Sequence, residues 1–494
     1  MSAATLPVLS RPAPGEIRRG SASAPLSWLR ERGMGASVLV AAMSTAFGVV
    51  LITATAYIGA MLRADPWLGE SGLLEFVLGF LTLILVGVAV YVASIVTANT
   101  FATVVAGRTR RIALMRLIGA TARSQRTEIA RQGLVVGVIG AFLGLVGATA
   151  LAAGGVWLAG RMLGFEDLAF ALVRPDLLLP AGIVALTTWA AAWAGSRRVL
   201  AVTPLQALGG AVEASHSSVT GRSGRNVTAL VLFAVGGALL ALGILVGLVS
   251  PLGVLVAFVG GIFSFTGLAL GAALVMPPVL RLVGRAFGSS AAARLAAENA
   301  LRYPERSSRM AIGVVMGVTL VTMFAVAIES VKAVLTAAAG GQLPIQMATV
   351  LDSFAGIMMG LVAVSAVIAG VGLVNLLTIG VVQRRRELGL LHALGVSNGQ
   401  VRRMVLLEAA HITIAATATG LVLGIVYGWA GAQSLLGAVP GNPALPAGPT
   451  FVWPAVPLWP VVAIVVATAA LTLIAAVVPT RLATRVAPVE ALAE

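Results

Sequence analysis

The chain has 494 residues, of which 59% are hydrophobic and only 10% charged, and its mean hydropathy of +1.01 lies far above what a water-soluble core requires. That balance excludes a soluble fold, and the formal net charge of +15 has to be read against a membrane before it is read against nucleic acid. Cysteine is absent, which removes disulfides, thiolate metal sites and cysteine nucleophiles.

Apolar stretches of about 20 residues or more, enough for a helix to cross the hydrocarbon layer, are expected at Ser37–Leu62, Leu73–Ala98, Gly133–Gly160, Leu177–Gly195 and Val227–Val249. Five more are expected at Leu252–Leu280, Ala311–Ile328, Phe354–Val382, Met404–Ala430 and Ala455–Pro479. The first is too long for a signal-peptide core and is read as a retained helix. The predicted fold class is therefore an all-α integral membrane protein of about ten spans. Gly and Ala are frequent in these spans, as close helix contact in lipid requires, and Gly420, Gly424 and Gly428 form one such ladder.

Arginine concentrates in alternate connections, at Arg108–Arg131, Arg197–Arg225, Arg281–Arg309 and Arg384–Arg403, and in both terminal segments. The opposite connections carry Asp65, Glu70, Glu75, Glu166, Asp167, Asp176, Glu329 and Asp352 against Arg63, Arg161, Arg174 and Lys332. The positive-inside rule then places the arginine-rich connections and both termini in the cytoplasm of a multi-pass plasma-membrane protein. It assigns the scattered arginines to topology and anionic headgroups instead of nucleic acid. The outer loops are short, the longest near Lys332–Ser353 and Gly431–Pro454.

The sequence repeats itself. RTRRIALMRLIG at 108–119 and RRRELGLLHALG at 384–395 align at an offset of 276, pairing Arg108 with Arg384, Arg110 with Arg386, Leu114 with Leu390 and Gly119 with Gly395. A second pair, Ser196–Leu208 and Thr480–Leu492, closes each half with Pro, two residues, Ala, Leu. The organisation read from this is a segment 1–26, a four-span unit 27–208, a linker 209–226 and two central spans 227–280, followed by a connector 281–297 and a second four-span unit 298–494. Six spans separate equivalent elements, so the two units share one orientation about an axis along the membrane normal.

In each unit the arginine-rich segment after the second span reads as a short amphipathic helix, a terminating glycine and a polar turn. Leu388, Leu391 and Leu394 recur on one face, Gly395 suits a left-handed helix end, and Ser397 or Asn398 suits the next N-cap. Such an element can dock into a partner's groove or lie on lipid, and its repetition favours a partner.

RRRELGLLHALGVSNGQVRRMVLLEA resembles the signature of the FtsX-like ABC-transporter permeases, which include MacB-type and lipoprotein-releasing systems. The likeness extends to NALRYPERSSR before the seventh span and to the Pro-Val-Glu-Ala-Leu ending, and the two central spans match the ten-span branch. The resemblance implies that Arg384, Arg386, Glu387, Leu388, Gly389, Leu391, Ala393, Leu394 and Gly395 form a coupling helix against a cytoplasmic ABC ATPase homodimer that binds ATP and Mg. Arg108, Arg110, Arg111, Leu114, Leu117 and Gly119 form its first-unit counterpart, which departs from the pattern at Arg111, Ala113 and Arg116, facing Glu387, Gly389 and His392. The chain also lacks the large outer domain that better-known members carry.

The only lysine, Lys332, has no phosphate-loop context, and His216, His392 and His411 have no zinc-ligand spacing. The chain is therefore read as no enzyme by itself and as holding no cofactor of its own. Glu408 reads as an interfacial carboxylate near Arg402 and Arg403, with His411 one turn deeper, and Asn99, Gln132 and Asn375 as hydrogen-bonding glue. The function expected is ATP-driven movement, with export favoured, of a lipophilic or amphiphilic substrate. The alternatives are an ion-gradient-driven carrier, which the scarcity of mid-membrane acids disfavours, and a non-transporting regulatory subunit, which the short outer loops disfavour.

Overall fold

The computed structural model describes residues 34–64, 83–84, 86–88, 91, 94–95, 114–115, 117–163, 170–200, 223–286, 290–302, 304–342, 348, 352, 356, 394–438 and 449–484. Among them every regular element is helical. In chain order the helices are α1 (Met34–Ala64), α2 (Ala122–Leu163), α3 (Leu178–Leu200), α4 (Ser223–Gly247), α5 (Gly253–Leu270), α6 (Ala272–Gly284), α7 (Ala291–Arg302), α8 (Pro304–Ala338), α9 (Asn398–Leu436) and α10 (Leu458–Thr484). The chain is an all-α membrane protein, and seven of these helices (α1 to α5, α8 and α9) have the length and hydropathy to cross a bilayer.

Six expected spans coincide, to within about two residues at their ends, with stretches of α1, α2, α3, α4, α8 and α9, and the last corresponds to α10. The expected spans Leu73–Ala98 and Phe354–Val382 lie outside the described residues except at scattered positions. The span expected at Leu252–Leu280 is two helices. Gly271 (φ −87°, ψ 6°) leaves helical geometry between α5 and α6, and Ser308 donates to the carbonyl of Ala272 just beyond the break. Pro277 and Pro278 then remove two more amide donors from α6.

Two connections hold more structure than expected. The basic stretch Arg281–Arg309 contains α7, whose Ala-, Leu- and Arg-rich sequence favours a helix, whose N-terminus is capped by Ser290, and whose Ala293, Ala296 and Ala300 are buried. On the opposite side, α8 runs ten residues past Ile328 and carries Lys332 into an ion pair with Asp352.

Helix pairing depends on small residues. Each Cβ added at Gly420, Gly424 or Gly428 of α9 would fall within 3.0 Å of α8, the closest approach being 2.4 Å between Gly424 and the Thr322 Cβ. In the first unit, Gly140 and Gly144 of α2 meet α1 in the same manner, the Gly144 Cβ position lying 2.2 Å from the Ala42 carbonyl oxygen. The central pair α4 and α5 interlocks through Gly236, Gly243, Gly260 and Gly267.

α1 and α8, the first spans of the two units, are the inner helices. The most apolar stretch of α8 is 72% buried and that of α1 61%, against 17% for α4. One apolar core joins Val40, Phe47 and Leu51 of α1 to Phe265, Met276, Val315, Ile412 and Ile464. α5 ties the units together: the Tyr91 hydroxyl of the first unit donates to the Ile262 carbonyl (3.2 Å) and pairs with Thr266 (2.8 Å), while Tyr427 of α9 pairs with Ser264 (2.8 Å).

The α8–α9 seam yields a sharp expectation. Gly424→Leu forces the helices apart and costs about 1–3 kcal/mol, read as earlier thermal unfolding of the detergent-solubilised protein. Gly431→Ala, on the same helix where a Cβ meets nothing within 4 Å, leaves that transition in place.

Candidate coupling surface

The two sequence motifs end in the same local structure. Gly119 has φ +102° and Gly395 φ +90°, in the left-handed region that a residue without a Cβ enters freely, and they stand 276 residues apart. In the first turn the Ala120 amide donates to the Met115 carbonyl (2.9 Å), the bond that closes a helix end through a left-handed residue. Two residues beyond each glycine a hydroxyl caps the following helix. The Ser124 amide donates to Thr121 Oγ1 (3.2 Å), and the Gln400 amide donates to Ser397 Oγ (3.3 Å). Gln400 also accepts from the Ser397 amide at 2.9 Å, completing a capping box. α2 and α9 consequently start at Ala122 and Asn398, again 276 residues apart.

Before each glycine an apolar side chain stands in the open. Ile118 is 78% exposed and Leu394 73%, at matching positions, with Leu114, Met115 and Leu117 half exposed behind Ile118. Of the residues expected to form the surface, the structure places Leu114, Leu117, Gly119, Leu394 and Gly395 at these turns. Arg108, Arg110, Arg111, Arg384, Arg386, Glu387, Leu388, Gly389, Leu391 and Ala393 lie outside the described residues. Ile118 and the cap Thr121 escaped the sequence reading, although the 276-residue offset maps them onto Leu394 and Ser397.

Behind the turns, α2 and α9 are long. Their 42 and 39 residues span about 60 Å at about 1.5 Å per residue, roughly twice the hydrocarbon thickness of about 30 Å. Each is braced at its start. In α2, Arg131 pairs with Glu128 at 3.1 Å, Gln132 donates to Glu128 at 3.0 Å, and the Arg126 guanidinium lies 3.9 Å above the Trp193 ring of α3. In α9, α7 packs alongside, with Asn299 against the Met404 sulfur.

The reading of Glu408 as an interfacial carboxylate is corrected here: it is 5% exposed, enclosed where α9 meets its neighbours. His411, one turn on, is fully buried, and its Nε2 lies 2.7 Å from the Leu280 carbonyl at the end of α6. A Cβ on Gly284 would come 3.3 Å from the His411 ring, a tight contact where α6 approaches α9. Gln132 bonds within its own helix, while Asn99 and Asn375 lie outside the described residues. Among the described residues no cluster of His, Cys, Asp or Glu has the arrangement of a metal site.

Comparison with known proteins agrees with this arrangement. The family model described as "FtsX-like permease C-terminal" matches residues 83–204 and again residues 359–488, together just over half of the chain. Each matched segment contains one of the glycine turns and the long helix after it. Among curated relatives, an uncharacterized ABC transporter permease of Bacillus subtilis, YknZ, is 33% identical over 109 residues, 22% of this chain and 24% of its own length. The macrolide export ATP-binding/permease protein MacB of Rhodopirellula baltica is 31% identical over 131 residues, 26% of this chain and 17% of its own. The Bacillus subtilis ABC transporter permease YtrF is 37% identical over 73 residues, 15% of each chain. The chain thus spans a quarter or less of the length of these relatives. With two matched segments and an all-α membrane architecture, this multi-pass membrane protein belongs to the FtsX-like permease family.

Proposed function

We propose that the chain is the membrane-spanning permease of an ABC transporter, in which the two glycine turns engage the two protomers of a separate cytoplasmic ATPase homodimer. The observation that carries this reading is the pair of exposed apolar residues, Ile118 and Leu394, set at one register before left-handed glycines and capped helices. An apolar residue held on a rigid turn fits a groove in a partner, and the capped helix behind it passes a displacement on as a rigid body. The names of the relatives, all ABC-transporter permeases or a fused ATP-binding permease, support the same reading.

In this scheme ATP and Mg are held by the partner, and this chain performs no hydrolysis. Movement of the ATPase protomers pulls on α2 and α9, which slide or tilt against α1 and α8 along the small-residue seams. The central position of α1 and α8 puts that motion on the inner helices of the bundle. Both units lie in one chain, so one permease serves one ATPase dimer, with both termini in the cytoplasm of the plasma membrane. The substrate is a lipophilic or amphiphilic molecule drawn from the bilayer, and the direction is export.

Affinity purification of the solubilised chain tests the partner. The wild type retains an ABC ATPase, whereas Glu387→Arg combined with Leu391→Asp, or Leu394→Asp alone, loses most of it. Ile118→Asp loses less, because the first unit departs from the family pattern at Arg111, Ala113 and Arg116. Absence of any ATPase from the wild type under mild conditions overturns the proposal.

Hydrogen exchange tests the rigidity of the turn. Ser397→Ala removes the cap at a cost of about 1 kcal/mol, so the amides of Gly399 to Val401 exchange roughly five-fold faster. Unchanged exchange would mean that the α9 start is not the fixed lever described.

A further inference from the structure

At the end of α9 opposite the glycine turns, residues 449–457 form a non-helical strap leading into α10. Its backbone is held from one side. Gln433, 1% exposed, acts as a surrogate strand: its Nε2 donates to the Thr450 carbonyl (2.8 Å) and its Oε1 accepts from the Val452 amide (2.6 Å). Trp429 Nε1 donates to the Val452 carbonyl (2.9 Å), the Thr450 amide to the Gly437 carbonyl (2.8 Å), and the Ala455 amide to Ser330 Oγ of α8 (3.1 Å). Pro454 and Pro457 have no amide hydrogen to satisfy.

Along the strap Val452 faces inward, 2% exposed, and its neighbours Phe451 and Trp453 face outward, 58% and 78% exposed. Phe451 packs tilted against Trp429 and edge-on against Trp453, at centroid separations of 5.8 and 5.1 Å. Leu458 and Trp459, both 79% exposed, continue this apolar face onto the first turn of α10. The sequence from Gly431 to Thr480 contains no charged residue, whereas other connections at this end carry the Lys332–Asp352 and Arg174–Asp176 ion pairs.

We propose that the strap is a membrane-inserted element whose aromatic face lies in the headgroup and upper acyl region of the leaflet opposite the glycine turns. Non-helical backbone is excluded from the hydrocarbon core unless its polar groups are satisfied. The Gln433, Trp429 and Ser330 contacts satisfy the inward side, and at headgroup depth the outward backbone meets headgroups and water while the aromatic side chains reach the acyl chains. Tryptophan and phenylalanine on an uncharged segment are the side chains favoured at that depth. The occupant of the exposed face is therefore phospholipid. The face continues onto the apolar start of α10, as a segment at the bilayer boundary would.

The absence of native cysteine permits a direct test. Trp453→Cys and, separately, Trp459→Cys are spin-labelled in the full chain reconstituted in phosphatidylcholine–phosphatidylglycerol vesicles, and collision with oxygen is compared with collision with a water-soluble nickel chelate. Oxygen dominates at both positions if the strap is inserted. Adding Gln433→Leu to the Trp453→Cys chain releases the strap and shifts that label toward nickel. Dominant nickel collision in the unreleased strap means a loop in water, and protection from both reagents means a protein covers it; either result overturns the proposal. The readout is independent of any ATPase, so failure of the functional reading leaves it standing.

Discussion

The structure depends on backbone-to-backbone contact between α1 and α2 and between α8 and α9. In lipid, transferring an apolar side chain from one apolar surface to another supplies almost no driving force, so helices hold through close van der Waals contact. That requires a strip without bulk. Gly140, Gly144, Ala148 and Ala152 of α2 correspond, 276 residues on, to Ala416, Gly420, Gly424 and Gly428 of α9. The glycines other than Gly140 lie where a side chain would strike the neighbouring backbone or a β-branched residue, Gly140 meets the Ala41 side chain and nearby backbone, and Ala148 and Ala416 are fully buried. A seam of this kind has no interlocking large side chains, so it supports tight packing and displacement along its length equally well.

The same spacing carries through to the helix starts. The left-handed glycines, the hydroxyl caps and the first helical residues of α2 and α9 all keep the 276-residue offset, so the depth of each turn relative to its seam is fixed by a rigid helix. At the other end of the bundle the first spans obey a related register. Tyr57 of α1 packs edge-on against Phe170, 5.3 Å between centroids, and Ser330 of α8 accepts from Ala455, so each first span holds the segment leading to its unit's last span.

How much of this was legible follows from what each signal encodes. Hydropathy placed most of the spans that the described residues cover because lipid imposes a length on every helix that crosses it, and the offset of 276 located both turns because glycine is needed where φ is positive. Hydropathy averages across a break, so the interruption at Gly271 was hidden although Pro277 and Pro278 stood a few residues on. The arginines of Arg281–Arg309 drew attention to topology and away from Ala293, Ala296 and Ala300, whose spacing marks a buried helical face. Glu408 was misjudged because its enclosure comes from helices distant in sequence, and no local pattern records that α6 and α7 close over α9.

The two units are similar in frame and unequal in detail, and the inequality is concentrated in α9. Position 433 holds a buried glutamine that fastens the strap, where the first unit has Trp157, 61% exposed with Arg161 stacked on it. Positions 408 and 411 hold the enclosed Glu408 and His411, where the first unit has Gln132 and Val135. Among the described residues α9 also touches α4, α5, α6, α7, α8 and α10, while α2 packs chiefly on α1 and α3. A displacement applied at the start of α9 must therefore disturb polar contacts to α6, α5 and the strap together, while the same displacement at α2 meets the small-residue seam and the lipid-facing α3. Polar contacts in a low-dielectric interior are costly to leave unmade, so α9 moves with its neighbours as one body. Among the described residues α2 is held by fewer neighbouring helices, so equal displacements of α2 and α9 would meet unequal surroundings.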